Sequence, residues 1–150
     1  MAEEIPPCNI MIDKEGKWYY KGAPMIRKDI CLFFYEHLVR DSKGRYLLHI
    51  GDEKCYLEVE DTPFVVIRVD VGVDFTILLN DRTQEVLRLG TLWIGKDNVL
   101  YCKVKDNNYD ARFNRPSYYQ FANYITYDEE RDKCFIPFDG NRYYLEQQDG

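Results

Sequence analysis

The chain has no run of basic residues, no CxxC or HxxxH spacing, no GxGxxG or Walker A motif, and no apolar stretch near the length of a bilayer span. Each absence closes off a class of function. Phosphate-backbone binding rests on clustered Lys and Arg. Here the formal net charge is -6 and the pI about 5.0, so nucleic acid is not an expected partner. Structural zinc needs Cys and His at ligand spacing, and the two His are far apart, so no metal and no cofactor are expected. The glycine-rich phosphate cradles of nucleotide enzymes are missing. A membrane span needs about 20 apolar residues, and no membrane association is expected.

The five cysteines, Cys8, Cys31, Cys55, Cys102 and Cys134, are odd in number. That pattern reads as reduced thiols in a cytoplasmic protein rather than a disulfide framework. The acidic N-terminus with its two prolines does not read as a signal peptide.

What is present is the composition of one folded domain over residues 1–150. Apolar residues are 45% and charged residues 31%, enough apolar surface for a core without staples. Aromatics reach 15%, led by 13 Tyr, which suits half-buried strands.

In chain order, residues 1–8 read as a loose arm. Asn9–Ile12 and Lys17–Lys21 form a hairpin around Asp13-Lys14-Glu15-Gly16, with Trp18 and Tyr20 on one face. Gly22-Ala23-Pro24 breaks the strand. Ile30, Phe33, Phe34, His37 and Leu38 recur as one buried helical stripe, with Asp29 as N-cap and Ser42-Lys43-Gly44 as the helix end. On that stripe His37 is a core histidine. Arg45–Ile50 and Cys55–Glu60 follow as strands, then a solvated corner at Asp61-Thr62-Pro63. Phe64–Val71 is a well-buried strand leading to Phe75–Leu79, with Glu85–Leu89 as a further strand or helical turn. Thr91–Ile94 pairs with Val99–Lys103, Tyr109–Phe113 is a strand, and a second helix carries Tyr118, Phe121, Ala122, Ile125 and Thr126. Lys133–Phe138 and Arg142–Gln147 close the chain around Asp139-Gly140, a strong hairpin signal.

The second half echoes the first. Asn9–Lys21 lies over Thr91–Lys103 with identities at Ile12/Ile94, Lys14/Lys96, Tyr19/Tyr101 and Lys21/Lys103. Arg27–Asp61 lies over Arg115–Asp149 with identities at Arg27/Arg115, Phe33/Phe121, Tyr56/Tyr144, Leu57/Leu145, Glu58/Glu146 and Asp61/Asp149. The offsets are 82 and 88, so six residues are inserted before the second helix. Ser117 falls over Asp29 as the second cap. The expected fold is α+β: two hairpin–helix–hairpin repeats, residues 9–61 and 91–149, joined by a linking hairpin in 62–90. The predominantly antiparallel sheet packs on two helices, and a groove lies between the halves.

The run from Lys17 through Trp18-Tyr19-Tyr20-Lys21-Gly22-Ala23-Pro24 to Arg27, the segment Tyr56-Leu57-Glu58-Val59-Glu60-Asp61-Thr62-Pro63-Phe64, and Ala111-Arg112-Phe113-Asn114-Arg115-Pro116-Ser117-Tyr118-Tyr119 resemble the bacterial family called domain of unknown function 1285. The resemblance covers nearly all of residues 9–149. It implies a compact cytosolic fold with internal repeats and a role in signal transduction or ligand sensing. It implies no catalytic residues.

The residues themselves suggest where a site lies. Arg27 and Arg115, each at a helix N-terminus, oppose the helix dipole. They are expected to be held by Glu58 and Glu146 as structural ion pairs, with anion binding as the alternative. Cys31, near a helix start, is not expected to be a nucleophile. Most of the aromatics are expected in the core and on sheet faces. The candidate ligand-binding residues are therefore Trp18, Arg27, Glu60, Asp61, Phe64 and Arg115. The expected activity is non-enzymatic binding of a small ligand or protein partner in a regulatory role. The alternatives are a small hydrolase using Glu58, Glu60 or Asp61, and a structural homodimer.

Overall fold

A computed structural model describes residues 4–148. The first three residues of the expected arm, and Asp149 of the repeat alignment, lie outside them. The protein is α+β, mostly sheet with two α-helices, and its sheets mix parallel pairs into a mainly antiparallel pattern. The chain divides into two compact units, 1–63 and 64–150, and each hydrogen-bonded sheet closes within one of them.

In the first unit, β1 (Pro7–Ile12) and β2 (Trp18–Tyr20) form the expected hairpin, and β3 (Ala23–Pro24) folds back onto β2. Strand β2 ends ahead of Gly22 as expected, and Gly22, with φ of 82°, turns the chain back as β3. Helix α1 (Lys28–Glu36) follows, then β4 (Leu38–Arg40), β5 (Tyr46–Ile50) and β6 (Glu53–Val59). The strand order is β3-β2-β1-β6-β5-β4. Strand β1 runs parallel to β6, which requires the whole intervening stretch as a crossover. That pairing overturns the loose arm: Pro6 already accepts a hydrogen bond from the Tyr56 N–H, and Pro7 begins the strand.

The parallel pairing also overturns the reading of five reduced thiols. Pro7 stands opposite Tyr56, so Cys8 and Cys55 are cross-strand neighbours, and they form a disulfide. Their 47-residue separation conceals this in the sequence. Cys31, Cys102 and Cys134 are free thiols.

Helix α1 is shorter than expected because His37 caps its C-terminus and β4 starts at Leu38. The expected buried stripe extends past that end, to Leu38 in β4. Tyr35 is the helix's buried residue, whereas Phe33 is 44% exposed. His37 is half-buried against the Phe33 ring, 4.6 Å away, and is not a core residue. Asp29 is not the N-cap. Arg27 occupies that position with no side-chain cap, and Asp29 sits inside the first turn.

In the second unit, β7 (Phe64–Val71) and β8 (Phe75–Leu79) match the expected bounds. They continue into β9 (Gln84–Val86), a 3-10 turn at Leu89–Thr91, β10 (Trp93–Ile94), β11 (Leu100–Val104) and β12 (Tyr109–Phe113). Helix α2 (Arg115–Ala122), β13 (Thr126–Asp128), β14 (Lys133–Phe138), β15 (Asn141–Tyr144) and β16 (Glu146–Gln147) complete the unit. One sheet has the order β16-β10-β11-β12-β7-β8-β9, the other β13-β14-β15. The hairpin expected to link two halves is thus an integral part of the larger sheet. Val65 and Val66 of β7 are fully buried, as are Ile77 and Leu79 of β8. Helix α2 lies over β7: the Gln120 side chain accepts from the Val69 N–H, and Ser117 Oγ is 2.8 Å from the Val66 carbonyl. Its N-cap is Asn114, which accepts from the Ser117 N–H, so Ser117 is a buried first-turn residue rather than the cap.

Strand registers recur between the two units. Met11 faces both Tyr19 and Glu58; Trp93 faces both Tyr101 and Glu146. Tyr19 faces Pro24 as Tyr101 faces Arg112. Leu47 faces Tyr56 as Phe135 faces Tyr144, and His49 faces Lys54 as Pro137 faces Arg142. The pairs of β4 with β5 and of β13 with β14 differ from this correspondence by one residue.

Candidate functional site

The first unit contains a cleft of about 560 Å³. Its floor is one face of the β1–β2–β3 hairpin, where Cys8, Ile10 and Tyr20 present their side chains. Its wall is the first turns of α1, with Ile30 and Phe34, and its rim is the connection Met25-Ile26-Arg27. Alternation along β1 sends Cys8, Ile10 and Ile12 to one side and Pro7, Asn9 and Met11 to the other. The second set, with Tyr19, Lys21, Tyr56 and Glu58, lines a more polar cleft of about 640 Å³, which Ile10 also borders.

Trp18 does not enter the apolar cleft. It is 4% exposed and lies one layer behind, stacked on Phe34 at 6.0 Å and edge-on to Tyr35 at 4.8 Å. It packs against the Phe34 ring, and its indole Nε1 has no hydrogen-bond partner among the described residues. The Tyr35 hydroxyl donates to the Pro63 carbonyl at 2.8 Å. Thr62 and Pro63 are buried, so the corner expected to be solvated is an anchor for the helix.

Arg27 stands at the cleft rim with its guanidinium forked onto Asp29, Nε to Oδ1 at 3.0 Å and Nη2 to Oδ2 at 2.7 Å. This corrects the expected pairing with Glu58. An acid two residues away, at the same helix start, reaches the fork without crossing the sheet. The bidentate bond holds the Asp29 carboxyl below its ordinary range and the guanidinium above its own. Both side chains are about two-thirds exposed, so the pair is open to a ligand.

The other candidate residues each have their own local setting. The Glu60 carboxylate accepts from the Lys14 N–H at 3.3 Å and closes the β1–β2 turn. Asp61 is half-buried just before the corner. Phe64 and Arg115 belong to the second unit. The Phe64 ring packs edge-on against Tyr109, with Lys105 Nζ 5.2 Å from its centre. Arg115 is exposed at the start of α2 and is not paired with Glu146, whose partner is Lys133 at 3.9 Å. Burial and the nearby Asp29 charge push the Cys31 thiol up, away from thiolate character. Among the described residues, no three His, Cys, Asp or Glu side chains group to hold a metal ion, and no helix is long and apolar enough to cross a membrane.

The cleft residues Cys8, Ile10, Met25 and Ile26 were missed from sequence. The signal that could have found them is the apolar Ala-Pro-Met-Ile segment after a glycine turn, which has no buried strand or helix face of its own to join. Ile26 is 86% exposed.

Residues 3–62 match the family model for the N-terminal domain of DUF1285, a domain of unknown function. That span coincides with the first unit and contains the whole apolar cleft. The structure is similar to a DUF1285 family protein from Silicibacter pomeroyi DSS-3, with TM-score 0.77 and 21% identity, over 95% of this chain and 84% of that one. It is also similar to a DUF1285 family protein from Shewanella baltica OS155, with TM-score 0.66 and 20% identity, over 78% of this chain and 91% of that one. No curated protein matches the chain.

Proposed function

Residues 3–62 match the N-terminal domain of the DUF1285 family, and from that premise we propose that the domain binds a small amphipathic ligand, with an apolar body and an acidic end, in a regulatory rather than catalytic role. The observation that carries the reading is the apolar cleft between the β1–β3 hairpin and α1, with Arg27 at its rim. Its volume and apolar lining suit a small molecule. The guanidinium fork suits a carboxylate or similar anion, which would share Arg27 with Asp29. Glu60 supports the turn beneath β1 instead of doing acid–base chemistry, which weighs against the hydrolase.

The reading of two copies, 9–61 and 91–149, belongs to the same proposal. Its support is the recurrence of registers at the offsets that align the sequences, including Met11 with Glu58 and Trp93 with Glu146. The second copy has Cys102 and Ala111 where the first has Tyr20 and Ala23. Both counterparts are fully buried, so the equivalent of the cleft floor is core. Binding is thus a property of the first copy. Localisation in the cytoplasm is kept as part of this reading.

The test is calorimetric titration of the full chain with decanoate and with decanol. Decanoate is expected to bind more tightly, and Arg27→Ala is expected to remove that preference while leaving decanol unchanged. Ile30→Asp is expected to abolish both. Equal affinity for both ligands in the wild type, or binding that survives Ile30→Asp, would overturn the assignment. A homodimer built on exposed Ile26 is the second reading, and light scattering that shows dimers broken by Ile26→Asp would favour it.

A further inference from the structure

The cleft floor has an unusual attachment. On β1, Cys8, Asn9 and Ile10 lie between Pro7, which faces Tyr56, and Met11, which faces Glu58. Three β1 residues therefore stand against Leu57 alone, and the ladder to β6 is interrupted there. Asn9, inside the bulge, has φ of 64°, and its carbonyl accepts from the Lys21 N–H on the hairpin side. The bulged segment is tied to β6 at its start through the Cys8–Cys55 disulfide. Cys8 and Ile10 are also the residues that β1 contributes to the cleft floor. Both bridged cysteines are half-buried, within reach of a small thiol. The remaining cysteines are free thiols.

We propose that the Cys8–Cys55 disulfide is a reversible redox latch on the ligand cleft: closed, it holds the bulged segment of β1 in the shape that binds; opened by a low-molecular-weight thiol, it releases that segment and weakens binding. The proposal rests on the reading of the cleft as a ligand site. The chemistry is thiol–disulfide exchange. A reductant thiolate attacks one of the two bridging Sγ atoms, the protein S–S bond breaks, and a mixed disulfide forms while the departing Sγ takes a proton. A second reductant thiolate then attacks the small-molecule sulfur of the mixed disulfide, and the remaining protein Sγ leaves and takes a proton. The net result is two protein thiols and one small-molecule disulfide, with two electrons and two protons gained by the protein. Closure runs the same exchange backwards with a small disulfide as oxidant. In a reducing compartment the latch rests open and closes under oxidation, the pattern of cytosolic redox sensors. This reconciles a cytoplasmic setting with a disulfide beside three thiols.

The experiment compares air-oxidised full chain, the same protein treated with dithiothreitol, and the Cys8→Ser/Cys55→Ser variant, all at low temperature. Thiol titration of the oxidised chain, unfolded without reductant, should count the three free cysteines; all five reacting would overturn the latch. Decanoate is expected to bind the reduced protein and the variant at least tenfold more weakly than the oxidised protein. Hydrogen exchange over residues 8–12 should be faster, and reoxidation should restore both. Far-ultraviolet circular dichroism should stay unchanged. Equal affinity in oxidised and reduced protein would sink the latch and leave the cleft standing. No binding in either state would remove cleft and latch together. Unfolding of the first unit on reduction would make the bridge a structural staple and overturn the switch.

Discussion

Phe33 and Phe121 occupy corresponding positions in the aligned halves, yet their surroundings differ. Phe121 is fully buried beside Phe75 and Phe113, with ring centres 5.3 and 5.7 Å away. Phe33 is 44% exposed. Phe121→Ala should therefore cost about 3–5 kcal/mol of unfolding free energy, and Phe33→Ala well under half of that. Denaturant unfolding of the two variants checks the contrast, and equal losses would contradict it. Asp128 gives a pH signature. The Tyr144 hydroxyl donates to its carboxylate at 2.7 Å, and the N–H groups of Arg131 and Glu130 and the Arg142 guanidinium add to that. Against partial burial, which works the other way, these bonds hold its carboxyl below the ordinary range. A carboxylate with a depressed pKa in the folded state contributes stability above its unfolded pKa, about 3.9. That contribution is lost as pH falls through the lower folded value. Asp128→Asn should thus melt below the wild type at neutral pH, and the two should converge in strong acid. A constant difference across the pH range would refute the assignment.

At the scale of elements, the second helix shows how local chemistry sets a boundary. Asn114 precedes Arg115-Pro116 and accepts from the Ser117 N–H, a cap followed by proline in the first turn. Asn114→Ala should cost about 1 kcal/mol, measured by thermal unfolding, whereas Ser117→Ala acts through its buried bond to Val66. This also explains what could be read from the chain beforehand. Strands β7 and β8 were legible to the residue because β-branched residues and flanking turns mark them, and β12 because the polar Asp106-Asn107-Asn108 loop precedes it. The hairpins at Asp13–Gly16 and Asp139–Asn141 were legible for the same reason. Helix periodicity was not enough: the stripe through Phe33 and His37 fits 3.6 residues per turn but runs past a helix that stops at Glu36. Non-local pairings were the least legible. The parallel contact of β1 with β6 carries no short-range signal, so it hid both the disulfide and the cleft floor. Of the candidate site residues, Arg27 lines that cleft and Trp18 supports it from behind, whereas Glu60 closes a turn, Phe64 is buried against Tyr109 and Arg115 is exposed at the start of α2.

At the scale of the whole molecule, the two units each carry one of the chain's two tryptophans. Trp18 is buried in the first, and Trp93 is half-buried in the second, stacked on Tyr101 at 5.2 Å. The disulfide lies wholly within the first unit, and neither large sheet shares a strand with the other. Removing the bridge frees a chain segment of 47 residues in the unfolded state, which chain-entropy reasoning values at about 4 kcal/mol before any compensation. That loss should fall on the first unit alone. In Trp93→Phe protein, where Trp18 is the sole reporter, dithiothreitol should lower the fluorescence melting midpoint by roughly 15 °C. In Trp18→Phe protein, where Trp93 reports, the midpoint should stay where it was. Coincident shifts in the two variants would mean that the units unfold as one cooperative body, and a redox event at β1 would then be felt across the whole chain instead of at the cleft.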